Sequence, residues 1–380
     1  MRYTIRFLVG LWPFTLKLLG VAILCGWIPL WSQTARFAYV ANGSGGGPGT
    51  ISAYAVNKDT GFLTPVAGSP FPGGQFPRWV TVDPSGDFLY VANSNDNTIS
   101  AYTIDNTTGA LTPITGSPFP TGGTGTIEVT VDPSGEFVYV ANGLGNSVAA
   151  FAIDEATGTL TPIAGSPFPA GTNVSGVNVD PSGDFVYASN NGSNNVFAYA
   201  IDKKTGTLTP ISASPFPAGA GPSAITVDPS ARFVYVTNAI DNTISAYTID
   251  KKSGTLTPIS GSPFPTGNGC NNVDVDPSGR FAYVTCAPDN DIWAYTIDRH
   301  SHIGTAGALT PISGSPFSVG LGPNSVTVDA SGQFLYVANV NSNNVSAFTI
   351  DKDTGALSPM AGSPFAAGPN AVSVTTTTGH

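Results

Sequence analysis

A six-residue phrase recurs seven times in this chain and dictates a repeat architecture before any single side chain points to a chemistry. It reads FAYVAN, FLYVAN, FVYVAN, FVYASN, FVYVTN, FAYVTC and FLYVAN, with tyrosines at Tyr39, Tyr90, Tyr139, Tyr187, Tyr235, Tyr283 and Tyr336. Successive tyrosines lie 51, 49, 48, 48, 48 and 53 residues apart, a period that belongs to solenoids, arrays and propellers.

One unit, Trp79 to Pro120, parses into four short runs rich in β-branched and aromatic residues: Trp79 to Val82, Phe88 to Ala92, Thr98 to Ile104 and Leu111 to Ile114. DPSG, NDN and NTTG separate them as turns, so each repeat predicts a four-stranded antiparallel meander. The second run is apolar almost throughout rather than alternating, which requires cover on both faces of its sheet. Radial stacking of blades supplies that cover. The first repeat starts at Phe37 without an opening strand, and Pro369 to Thr375 (PNAVSVT) aligns with Pro77 to Asp83 (PRWVTVD) to provide it. The expectation is therefore an all-β, seven-bladed propeller closed by the C-terminal strand in the N-terminal blade; six or eight blades would leave a strand unpaired.

These motifs resemble the YVTN-type propellers of the lactonase family, which includes 6-phosphogluconolactonase-like and muconate-lactonising enzymes. The resemblance runs from about Phe37 to the end and rests on YVAN, VDPSG and the TGxLTPIxGSPF signature, as in Thr108 to Phe119 and Thr205 to Phe216. It implies lactone hydrolysis with histidine, arginine and glutamate around the central channel. This chain has no histidine there: His300 and His302 lie in the RHSHIGTAG insertion and His380 ends the chain.

Residues 1–35 differ from the rest. Arg2 and Arg6 precede a long apolar stretch through Leu18 to Trp31, interrupted by Pro13 and Lys17 and followed by SQTA, the layout of a secretory signal. An uncleaved anchor is the rival, but the five or so residues between Trp31 and the first strand span only about 18 Å and would press the propeller onto the bilayer. Leu24 is too large, just before Cys25, for a lipoprotein box. Export with cleavage is expected, leaving residues 36–380 as one propeller in the periplasm or outside the cell.

The formal net charge of −10 repels nucleic acid and anionic membrane surfaces. The 45 glycines and 32 prolines recur in register at turns, so they punctuate strands rather than signal disorder. Cys270 and Cys286 both break the repeat consensus, Cys270 at a proline position and Cys286 at the closing asparagine of YVAN. The DPSGR turn joins their strands and sets them opposite or nearly opposite one another, so a disulfide is expected, which an exported protein keeps.

The innermost strand of each blade, just before DPSG, lines the channel. Its first ring reads Arg78, Ile127, Ser175, Ser223, Asn271, Asn324 and Asn370, the next Trp79, Glu128, Gly176, Ala224, Asn272, Ser325 and Ala371, and a third Thr81, Thr130, Asn178, Thr226, Asp274, Thr327 and Ser373. Trp79, Asn178, Asn271, Asn272, Asp274, Asn324 and Asn370 offer hydrogen bonds to a neutral polar ligand. A phosphosugar would need several converging cations, and only Arg78 qualifies. Glu128 is the candidate base and Arg78 the candidate oxyanion clamp of a lactone hydrolase. Their one-residue offset, on strands whose successive side chains face opposite ways, argues against convergence, and the plain reading is an inter-blade salt bridge or two solvent-facing residues.

Other signals carry less. The HxH of His300 and His302 beside Asp298 reads as an exposed loop, the SNDN, AIDN, GSNN and APDND clusters as turns rather than calcium loops, and the serine of VDPSG as a turn cap with no histidine to activate it. No cofactor and no metal is expected. The main expectation is a binding or scaffold module for a small polar ligand or protein partner, with no nucleic acid and with a membrane only if the leader stays. A lactone hydrolase is the alternative, and a structural envelope or adhesion module the third reading.

Overall fold

A computed structural model describes residues 36–44, 47–300 and 305–377; the expected leader, Cys25, His302 and His380 lie outside them. Seven small antiparallel sheets form a seven-bladed β-propeller. In blade 2, Pro77–Val82, Phe88–Asn93, Thr98–Ile104 and Leu111–Pro113 run from the inside outward, close to the runs read from the sequence. Each blade adds a short fifth strand, such as Phe119–Pro120, which pairs with the third strand beside the fourth. Every second strand is buried along its whole length between neighbouring blades, apart from a half-buried Arg36 at the start of the first.

The repeated tyrosine and the glycine that closes the turn after the third strand, preceded by threonine in five blades, by Ser253 in blade 5 and by Ala306 in blade 6, form a single clasp. Each tyrosine hydroxyl donates to that glycine's carbonyl in the next blade: Tyr39 to Gly109, Tyr90 to Gly158, Tyr139 to Gly206, Tyr187 to Gly254, Tyr235 to Gly307, Tyr283 to Gly355 and Tyr336 to Gly61, all at 2.7–3.1 Å. The last of these closes the ring. The aspartate of DPSG accepts the backbone N–H at the start of the following strand, as Asp180 does from Phe185 at 2.7 Å. A buried donor that a turn would otherwise orphan is thereby satisfied.

Closure occurs in blade 1, where Ala371–Thr376 pairs with Arg36–Asn42. The register corrects the sequence alignment by two residues. Ala371 pairs with Asn42 as Pro77 pairs with Asn93, so Ala371 rather than Pro369 is the counterpart of Pro77. Thr377 then stands where the other blades have aspartate, and its Oγ1 accepts the Phe37 N–H at 2.9 Å. Arg36 adds a 3.0 Å ion pair to Asp329 of blade 7.

In blade 6, Cys270 and Cys286 are directly opposed and joined by a disulfide. The bond closes a loop with a sequence separation of 16, a size for which chain-entropy arguments give about 3 kcal/mol. Thermal melts with and without reductant should show that loss in the wild type, and the Cys270→Ala, Cys286→Ala double variant should melt at the reduced temperature whether or not reductant is present.

Candidate active site at the channel mouth

The inner strands do not alternate simply. In blade 2 Pro77 pairs with Asn93 and Trp79 with Ala92, so Arg78 is an extra residue outside the ladder. The same bulge makes Ile127, Ser175, Ser223, Asn271, Asn324 and Val372 the extra residues of the other blades. A bulge puts two residues opposite one and re-aims their side chains. Arg78 and Trp79, and likewise Ile127 and Glu128, therefore line one cavity of about 470 Å³ at the mouth. The expected divergence of Arg78 and Glu128 is overturned on this point, and no ion pair joins the two among the described residues.

Glu128 is buried, and Gly176 makes the space for it: a Cβ there would lie 3.1 Å from the Glu128 Oε2. Burial pushes the carboxyl up to about 8, against the Val177 N–H bonded to it and the nearby Arg78 charge. Arg78 is itself exposed at the mouth; the protein packed around its guanidinium lowers its pKa while Glu128 opposes the shift, and a guanidinium stays charged throughout. A carboxyl that titrates near neutrality beside a fixed cation suits acid–base work at a polarised carbonyl.

The remaining polar residues split by depth. At the mouth, Ser175 donates to the Pro222 carbonyl at 2.7 Å, Ser223 to that of Cys270 at 2.9 Å, Asn271 to the Asn324 side chain at 3.1 Å and Asn324 to the Val372 carbonyl at 2.9 Å. Each of these four donors links its blade to the next while lining the cavity. Deeper, Asn272 accepts the Val326 N–H at 3.0 Å, Asp274 that of Val328 at 2.8 Å and Asn178 that of Val227 at 3.4 Å. With Thr81, Thr130, Thr226, Thr327 and Thr375 they line a second cavity of about 220 Å³, which shares Trp79 and Glu128 with the first. Burial raises Asp274 to about 6.

Asn370 belongs to neither cavity. It sits with φ +53° in the turn before the closing strand, where its N–H donates to Asn343. Val372 takes its place in the first ring, Ser373 replaces Ala371 in the second and Thr375 replaces Ser373 in the third. Sequence reasoning also passed over Leu144, which lines the mouth from the turn between Phe137–Asn142 and Ser147–Ile153. Its signal was a leucine in a turn that reads SNDN one blade earlier. His300 donates its backbone N–H to Asp298. Among the described residues no three His, Cys, Asp or Glu groups converge as metal ligands, and no helix is long and apolar enough to cross a membrane.

A family model described as a seven-bladed β-propeller lactonase matches residues 30–127, 114–215 and 176–375. No curated protein matches in sequence. Among solved structures, a candidate 6-phosphogluconolactonase of Bacteroides fragilis is 22% identical, with a TM-score of 0.78 over 92% of this chain and 99% of that one. Its counterpart from Bacteroides uniformis is 19% identical, with a TM-score of 0.78 over 90% and 99%. The periplasmic gluconolactonase of Pseudomonas aeruginosa is 20% identical, with a TM-score of 0.76 over 91% and 100%. At these identities the likeness is one of fold.

Proposed function

We propose that this chain, which belongs to the seven-bladed β-propeller lactonase family, is an exported hydrolase of uncharged lactones in which Glu128 and Arg78 act at the carbonyl. The observation that carries the reading is their convergence on one mouth cavity. Family membership supports the hydrolase over the binding or scaffold module expected from the sequence, which gains no support. In the reaction, the Glu128 carboxylate takes a proton from water as the water oxygen bonds to the lactone carbonyl carbon. The carbonyl oxygen becomes an oxyanion held by the Arg78 guanidinium. Collapse breaks the ring C–O bond, and the proton on Glu128 passes to the departing alkoxide, giving the open hydroxy acid.

Among the described residues Arg78 is the one cation lining the cavity, whereas a phosphomonoester favours several; this supports an uncharged substrate. Export is supported by the disulfide, which persists in oxidising compartments, with residues 1–35 as the leader and 36–380 as the propeller. A periplasmic gluconolactonase shares the fold. The test is hydrolysis of an aldono-δ-lactone and its 6-phosphate. We expect the uncharged lactone to be preferred at least ~10-fold in kcat/KM, as one unmatched phosphate charge implies, and Arg78→Ala to lower kcat about 100-fold. Preference for the phosphate, or no turnover of either lactone, would overturn the reading.

A further inference from the structure

The mouth cavity is two-sided. From blade 4 onward its wall is mostly polar, Ser175, Asn191, Ser223, Asn271 and Asn324 with Ala224 among them, whereas blades 2 and 3 contribute Trp79, Ile127 and Leu144, beside Ser94, around the charged pair. Ile127 is the one aliphatic side chain among the bulged residues that line the mouth. Leu144 is 77% exposed, the highest value among the large hydrophobic residues described. Leaving it in water has a cost that folding does not recover.

Two glycines make room for these side chains. A Cβ at Gly143 would sit 2.5 Å from the Ile127 Cδ1, and one at Gly125, φ +68°, 2.8 Å from the Leu144 Cγ. Gly145 follows Leu144 in the same turn. Bare backbone at Gly143 and Gly125 therefore leaves room for both side chains, an apolar strip in the cavity that Glu128 also lines. Ile240 occupies the matching turn of blade 5 and is 70% exposed, yet it does not line the cavity.

We infer that the site takes lactones carrying an aliphatic substituent: the lactone head meets Glu128, Arg78 and the Ser/Asn arc, while the chain lies over Ile127 and Leu144. This rests on the hydrolase reading and names the specificity of that same site. Occupancy removes Leu144 from water only when a substrate is bound, so the gain falls on lactone recognition. Each methylene that leaves water on the strip should raise kcat/KM about two- to fourfold.

The experiment is a kcat/KM series with the leader-free protein on δ-lactones from the unsubstituted ring to hexyl-substituted rings, using wild type, Leu144→Asp and Ile240→Asp. A rise with chain length in wild type and in Ile240→Asp is expected. In Leu144→Asp the rise, measured against that variant's own kcat/KM on the unsubstituted ring, should be flattened at least ~10-fold for the longest chain. Turnover of every lactone with no chain-length dependence, or an equal loss in both variants, overturns the inference and leaves the hydrolase standing. Absence of turnover on every lactone removes both.

Discussion

Glu128→Gln should lower kcat on any lactone the protein hydrolyses by about 1,000-fold, within the range that general acid–base groups contribute, with the fold intact. Glutamine fills the same space beside Gly176 and its amide oxygen still accepts the Val177 N–H, but it cannot carry a proton between water and the leaving alkoxide. A second readout separates this role from packing. The folded carboxyl titrates near 8 against an ordinary 4.5, so between those values the folded state holds a proton that the unfolded chain has lost. Stability therefore falls as pH rises through the window, and the full penalty, on the order of 4 kcal/mol, is present above pH 8. Wild type should lose Tm between pH 5 and 8.5, while Glu128→Gln loses much less and becomes the more stable protein at pH 8.5. Asp274, raised to about 6, adds a loss of the same sign to both proteins, so their difference isolates Glu128. The wild-type kcat/KM should also rise toward pH 8 as the base ionises. Turnover within tenfold of wild type, or parallel pH–stability curves, would remove Glu128 from the reaction.

What the sequence conveyed and what it concealed divide along physical lines. Blade number was legible because the YVAN tyrosine and the glycine of the turn after the third strand bond to each other across every interface, so neither drifts without opening the ring. The closing register was misread because Pro369 precedes Asn370 much as Pro77 precedes Arg78. Pairing shows instead that Asn370 is a left-handed turn residue and that Ala371 begins the strand pairing. Strict two-residue alternation sent Arg78 and Glu128 to opposite faces, and a bulge leaves no mark in composition or period that would have corrected it. Asn178, Asn272 and Asp274 were recognisable as polar and inward. Their commitment to the next blade's N–H groups depends on strand stagger between blades, which a single repeat does not encode.

Gly254→Ala should destabilise the propeller by about 4 kcal/mol, far more than a glycine-to-alanine change in an ordinary turn. Gly254 has φ +71°, and a Cβ there would lie 2.5 Å from the Phe185 ring of the preceding blade. The left-handed conformation alone costs an L-residue about 1–2 kcal/mol, and overlap with a packed ring adds about 1–3 kcal/mol. Relief by backbone movement would draw the Gly254 carbonyl from the Tyr187 hydroxyl, now at 3.0 Å, leaving a buried phenol unpaired. Gly86 provides the comparison: its φ is +77°, and a Cβ there meets nothing within 4 Å. Gly86→Ala should therefore cost only the conformational term, about 1 kcal/mol. Denaturant midpoints of the two variants measure the difference directly. Equal losses would mean that glycine is required at this position for its turn alone, whereas a gap of 2 kcal/mol or more, beyond the turn strain that both share, would make the clasp between blades the reason that this glycine recurs with the tyrosine.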